Sequence, residues 1–259
     1  MGYAYISAVI QKIAAFVWGL YSWFVFIICV LGAILGALVL PGKDRRRHWV
    51  SGVGRAIFWL SGIKSTVSGT GNIPDTQCIV VANHASYIDG VILNGYLPPR
   101  FGFVIKGEMG RIPVAGFVLR RIGSEFVERF DSSGSVRDAR RLLKVAESGE
   151  SLAFFPEGTF LAFPGLDRFR AGAFAAAINS KLPVVPVVIS GSRQILPAAT
   201  ILPRHGHLTI DILEPIAPND PAFESSKDLA ELARQRILAV LDEPDLLTPI
   251  CAAPQKQGQ

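Results

Sequence analysis

From Ile13 to Gly42 the chain runs for 30 consecutive residues without an Asp, Glu, Lys, Arg or His, and Lys12 is the one charge before them. A stretch of that kind belongs in lipid or against it. At about 1.5 Å per residue it makes roughly 45 Å of helix, longer than a ~30 Å hydrocarbon core. Residues 1–42 therefore read as a helical membrane anchor, either one tilted span or a hairpin bent near Gly19 to Ser22. Trp18, Tyr21 and Trp23 cluster at that bend rather than at the ends of a span, which favours the hairpin. The run is too long for the apolar part of a secretory signal. Gly32 and Gly36 form a GxxxG, a candidate helix-packing face.

Lys43, Arg45, Arg46 and Arg47 follow at once. Residues 43–50 read as a basic linker, and positive charge beside an apolar segment places the following domain on the cytoplasmic face. From 51 to 245 short apolar runs alternate with amphipathic stretches, the pattern of an α/β domain with a mostly parallel central sheet flanked by helices. Strands are expected at 78–82, 101–105, 124–128, 151–155, 182–189 and 208–213, and helices at 136–146, 171–179 and 227–241. Residues 246–259 read as a loose tail.

Across 259 residues, 26 Lys and Arg face 21 Asp and Glu, and half the residues are hydrophobic. This excludes a disordered chain, and the small, scattered basic excess gives no nucleic-acid stripe. The three cysteines are far apart, so neither a disulfide framework nor a thiolate metal site is expected. The sequence lacks GxSxG, GxxxxGK[ST] and HExxH, which argues against an α/β-hydrolase or thioesterase, a P-loop nucleotidase and a zincin. His205 and His207 make an HxH that reads as an exposed strand entry.

The chemistry concentrates in Asn83-His84-Ala85-Ser86-Tyr87-Ile88-Asp89, where a buried strand ends. That is the active-site position of open α/β sheets. Five residues apart on a regular helix, His84 and Asp89 would point about 140° apart, so a bend between them is required. Ser86-x-x-Asp89 supplies one if it caps a helix starting at Ser86. Asp89 then fixes the tautomer of His84, leaving the other ring nitrogen to deprotonate a hydroxyl. The alternatives are a purely structural cap and Ser86 as a nucleophile, the latter with no elbow around it. A second candidate is Phe155-Pro156-Glu157-Gly158-Thr159, a turn able to cradle a phosphate, with Arg168 and Arg170 nearby. Lys106 and Arg129 each follow an apolar run and could face the same sheet edge.

Together these segments resemble the glycerolipid acyltransferases, most closely the lysophosphatidic acid acyltransferases. Asn83-His84-x4-Asp89 resembles the first block, and Gly123-x-x-Phe126-Val127-x-Arg129 the second, with Lys106 and Pro113 upstream. Phe155 to Thr159, followed by Phe169-Arg170-x-Gly172-Ala173, resembles the third, and Val185-Pro186-Val187 the fourth. The resemblance implies a membrane-bound enzyme moving a fatty acyl group from acyl-CoA or acyl carrier protein to the sn-2 hydroxyl of lysophosphatidic acid, giving phosphatidic acid. It implies His84 and Asp89 as the catalytic pair and no cofactor or metal. Asn83, Lys106, Arg129, Glu157, Gly158, Thr159, Arg168 and Arg170 would hold the substrate. One departure stands out: many members carry Arg and Ser after the EGT turn, and this chain carries Phe160 and Leu161. The acceptor is then open to another lysophospholipid or acylated amphiphile, and a noncatalytic lipid-binding protein on the same fold is the alternative.

Overall fold

Strand residues alternate between the two faces of a pleat, and in the computed structural model both faces are buried. The structure describes residues 2–127, 145 and 149–248, with side chains from residue 6 onward. Seven strands form one sheet: β1 (Lys64–Ser68), β2 (Ile79–Ala82), β3 (Phe101–Lys106), β4 (Glu125–Val127), β5 (Ser151–Phe154), β6 (Val184–Ser190) and β7 (His207–Ile212). Their spatial order is β1-β7-β6-β2-β5-β3-β4. Pairing is parallel except between β6 and β7, in agreement with the expected mostly parallel sheet. Six strands answer to the sequence reading. β1, with only Val67 apolar and alternately exposed, gave no signal.

Ile79, Val81, Leu152, Phe154, Val184 and Val188 face one layer, made by α5 (Gly172–Ser180) and α7 (Ser226–Leu238), where Phe174, Ala177, Leu229, Ala233 and Ile237 meet them. Val80, Ala82, Ala153, Val185, Val187 and Ile189 face the other, with Phe58 of α2 (Lys43–Leu60) and Ile92 and Leu93 of α3 (Asp89–Tyr96). Two shorter helices, α4 (Pro113–Arg121) and α6 (Ser192–Ile195), join β3 to β4 and follow β6. The expected helix at 136–146 lies outside the described residues apart from helical Val145, as does most of the tail.

The apolar N-terminus is one uninterrupted helix, α1 (Gly2–Val39), so the bend expected near Gly19 to Ser22 is absent. Residues 6–39 are long and apolar enough to cross a membrane, with a mean hydropathy of 2.6. The mid-helix aromatics instead dock the helix on the domain. Trp18 Nε1 donates to Ser61 O at 3.1 Å, Tyr21 Oη to Leu60 O at 3.0 Å and Trp23 Nε1 to Ile201 O at 2.9 Å. His205, exposed at the entry to β7 as expected, lies against Trp18 with ring centroids 3.9 Å apart and the planes tilted by 33°. Ser22, Val25, Cys29, Ala33 and Ala37 form the buried stripe, while Leu20, Phe24, Ile27, Leu31, Leu35 and Leu38 remain exposed.

The stretch expected as a linker, 43–50, is the start of α2, which returns antiparallel to α1: Trp49 meets Gly36 and Ser61 meets Trp18. The GxxxG is a packing face, because Trp49 Nε1 donates to Gly32 O at 2.8 Å and a Cβ on Gly36 would collide with its indole. Part of the basic cluster turns inward. Lys43 pairs with Glu150, and buried Arg47 bonds Glu150 Oε2 at 2.9 Å, Ile122 O at 2.7 Å and Arg100 O at 3.1 Å. Those two cations do work for the fold that the sequence had assigned to the membrane surface.

Candidate active site

Because β2, β5, β3 and β4 are parallel, the segments leaving them emerge at one edge, the carboxyl edge where open α/β sheets bind ligands. His84 leaves β2, Glu157 leaves β5 and Lys106 ends β3. Arg129, expected beyond β4, lies outside the described residues.

The bend between His84 and Asp89 is present, made differently from expectation. α3 begins at Asp89, three residues later than the capping reading placed it. Ser86 is fully buried and its hydroxyl donates to Leu196 O at 2.8 Å, so it neither caps the helix nor is available as a nucleophile. Asp89 does the organising. Its Oδ2 accepts the N–H groups of Ala85 at 2.6 Å and Ser86 at 2.7 Å and lies 2.8 Å from His84 Nδ1. An ionised carboxylate only accepts, so Nδ1 carries the proton and Nε2 presents a lone pair. Asp89 is wholly buried, while the His84 side chain keeps 19% exposure, so the imidazole is within reach of a substrate.

Phe155 stacks on the imidazole, with ring centroids 4.4 Å apart at 20°. Phe160 meets it at 4.8 Å and 66°, and Phe160 in turn meets Tyr87 edge-on at 4.7 Å. Aromatic walls hold the ring plane and lower the local dielectric around the imidazole.

Two of the expected substrate ligands are employed otherwise. Asn83 is buried, with Nδ2 donating to Ile189 O at 2.9 Å and Oδ1 accepting the Ile189 N–H at 2.7 Å. It stitches the end of β2 to β6, replacing ladder bonds where the strands diverge. Glu157 is also buried, and its carboxylate accepts the His84 N–H at 2.7 Å and the Asp167 N–H at 3.2 Å. Burial raises its pKa to about 7, against the lowering effect of those two bonds, with Asp167 and Glu243 adding to the rise. Gly158 turns the chain with φ 84°, and its N–H closes the turn onto Phe155 O at 3.0 Å. Thr159, Arg168 and Arg170 are exposed at this edge, and Lys106 pairs with Glu108 at 2.7 Å. Tyr87, Phe155 and Asp167 are the neighbours that sequence reasoning did not single out. Their contacts arise across strands, and no local spacing announces them.

A buried Asp orienting a reachable His at the carboxyl edge of a parallel sheet is an arrangement that can move a proton to or from a bound group. Residues 64–190 match the acyltransferase family model, and the chain belongs to that family. It is similar to a chloroplastic 1-acyl-sn-glycerol-3-phosphate acyltransferase of Arabidopsis thaliana, 29% identical over 202 residues that cover 76% of this chain and 56% of that protein. It is also similar to a lyso-ornithine lipid O-acyltransferase of Pseudomonas aeruginosa, 29% identical over 225 residues, 79% of this chain and 80% of that one. The crystal structure of the 1-acyl-sn-glycerophosphate acyltransferase PlsC from Thermotoga maritima shares the fold, with a TM-score of 0.74 at 22% identity over 89% of this chain and 97% of that one. The chain spans between half and two thirds of the length of the first curated relatives it matches.

Proposed function

We propose that this protein transfers a fatty acyl group from a thioester to the hydroxyl of a lysolipid, with lysophosphatidic acid, the acceptor in most of its relatives' names, as the acceptor and phosphatidic acid as the product. The observation that carries this reading is the 2.8 Å contact between His84 Nδ1 and Asp89 Oδ2 at the carboxyl edge of the sheet. In the proposed step His84 Nε2 takes the acceptor hydroxyl proton as the oxygen attacks the thioester carbonyl. The tetrahedral intermediate collapses, the carbon–sulfur bond breaks, and the proton passes from His84 to the departing thiolate. Base catalysis of this kind contributes about 10²- to 10⁴-fold. Asp89 keeps the tautomer and stabilises the imidazolium. The donor is acyl-CoA or acyl carrier protein, and the step as written uses no cofactor. Lys106, Arg129, Thr159, Arg168 and Arg170 are the groups proposed to meet the acceptor head.

We also propose that α1 holds the enzyme on the bilayer through its exposed apolar face, with the catalytic domain on the cytoplasmic side. The test supplies detergent-solubilised protein with palmitoyl-CoA, and separately with palmitoyl acyl carrier protein, and follows thiol release with and without lysophosphatidic acid. Release that needs the acceptor and vanishes in His84→Ala supports the reading. Lysolipid binding with no thiol release from either donor contradicts it and leaves a noncatalytic lipid-binding protein.

A further inference from the structure

With His84 Nδ1 committed to Asp89, the acceptor hydroxyl must approach Nε2, and the atoms flanking that hydroxyl come to lie against whatever borders the ring. Aromatic rings border it. Phe160 sits 4.8 Å from the imidazole and 4.7 Å from Tyr87, and Tyr87 is 71% exposed, so the aromatic rim runs from the base to the surface. Phe160 is held there from both sides in sequence. Before it, Gly158 closes a tight turn. After it, Leu161 O accepts Arg193 Nη1 at 2.6 Å, and the buried Arg193 is itself gripped by Glu243 at 2.8 and 3.0 Å.

A phosphomonoester pressed against the Phe160 ring would shed water without gaining a donor there, which is unfavourable for a dianion. Among the described residues, the ring contacts around His84 are made by aromatic side chains and not by the cations of this edge. Lys106 is paired with Glu108, while Arg168 and Arg170 are exposed. Glu157 is spent on backbone.

We propose that Phe160 is a specificity-determining residue that frees the acceptor site from any requirement for a phosphomonoester, so that an uncharged monoacylated alcohol is an acceptor comparable to lysophosphatidic acid. This rests on the acyl-transfer reading above and concerns the acceptor alone. The site selects its hydroxyl by the base and by the aromatic rings beside it.

The experiment presents 1-palmitoylglycerol and 1-palmitoyl-lysophosphatidic acid, which differ by the phosphate, in the same mixed micelles with palmitoyl-CoA and palmitoyl acyl carrier protein. It measures kcat/KM for each acceptor in the wild type, Phe160→Arg and Phe160→Leu. The expected wild-type ratio lies within about tenfold of unity, Phe160→Arg shifts it about tenfold or more toward lysophosphatidic acid, and Phe160→Leu leaves it near the wild-type value. A wild-type preference for lysophosphatidic acid well beyond tenfold overturns the proposal while leaving acyl transfer standing, and needs no variant to fold. A ratio unmoved in a folded Phe160→Arg overturns the role of Phe160. Failure to acylate either acceptor overturns the acyl-transfer reading instead, and full turnover in His84→Ala overturns His84 as its base.

Discussion

Glu157 Oε1 accepts the backbone N–H of His84 at 2.7 Å, so the carboxylate of one loop fixes the main chain of the other. The second oxygen holds Asp167 N–H at 3.2 Å. Burial raises the Glu157 pKa from 4.5 to about 7, so the folded state holds this proton more tightly than the unfolded chain does. Stability from Glu157 is therefore fully present below about pH 4.5 and is lost as pH rises through about 7, on the order of 3 kcal/mol in total. Glu157→Gln should remove this slope, at a cost of about 1–2 kcal/mol at low pH for the mismatched N–H. Thermal unfolding of both proteins from pH 4.5 to 8 reads the difference, and parallel pH profiles would contradict it.

Asp89→Asn should leave the imidazole in place but unsettle its tautomer. A loss of about 10³-fold in kcat is expected, with KM little changed. Because the same Oδ2 accepts two backbone N–H groups, Tm should fall as well, by the equivalent of about 2 kcal/mol. A variant with normal kcat at a temperature where it is folded would remove Asp89 from the mechanism.

Arg47 bonds the carbonyls of Ile122, Arg100 and Gly123 at 2.7, 3.1 and 3.4 Å and Glu150 at 2.9 Å, tying α2 to the amino ends of β3, β4 and β5. Burial pushes the Glu150 pKa up, but the hydrogen bonds from Lys43 and Arg47 outweigh it and hold the carboxyl below its usual range. Arg47→Met should cost about 3 kcal/mol by stranding these acceptors, measured by denaturant unfolding. Arg45→Ala, at an exposed position, should cost less than about 0.5 kcal/mol. Equal effects would show that Arg47 is not the clamp described.

The exposed face of α1 should carry membrane binding separately from its docking face. Phe24→Asn, Leu31→Asn and Leu35→Asn together remove three exposed apolar side chains, each worth about 2 kcal/mol in lipid. Flotation with phosphatidylcholine and phosphatidylglycerol vesicles should be lost, while the Trp18, Tyr21 and Trp23 contacts keep the helix on the domain. Undiminished flotation would assign membrane binding to another surface.

The sheet and the His84–Asp89 pair were legible because buried parallel strands read as apolar runs and because a five-residue spacing admits few pairings. Glu157 and Asn83 were visible as polar residues at strand ends, but their partners, His84 and Asp167 for one and Ile189 for the other, lie across the fold. The aromatic cluster in α1 was read from lipid rules, yet its indoles serve carbonyls at 60, 61 and 201. Arg47 was read from the membrane-charge rule in the same way, and burial against Glu150 decided otherwise. Each of these depends on a long-range contact that no local window contains.

The central claim is acyl transfer by a histidine base, and the acyl balance tests it most directly. With radiolabelled palmitoyl thioester and a lysolipid acceptor, thiol released and lipid ester formed are counted together in the wild type and His84→Ala. Equal amounts in the wild type, and a loss of both by about 10³-fold in the variant, are expected. Thiol released together with free fatty acid in place of ester, or ester formed at the wild-type rate without His84, would contradict the account.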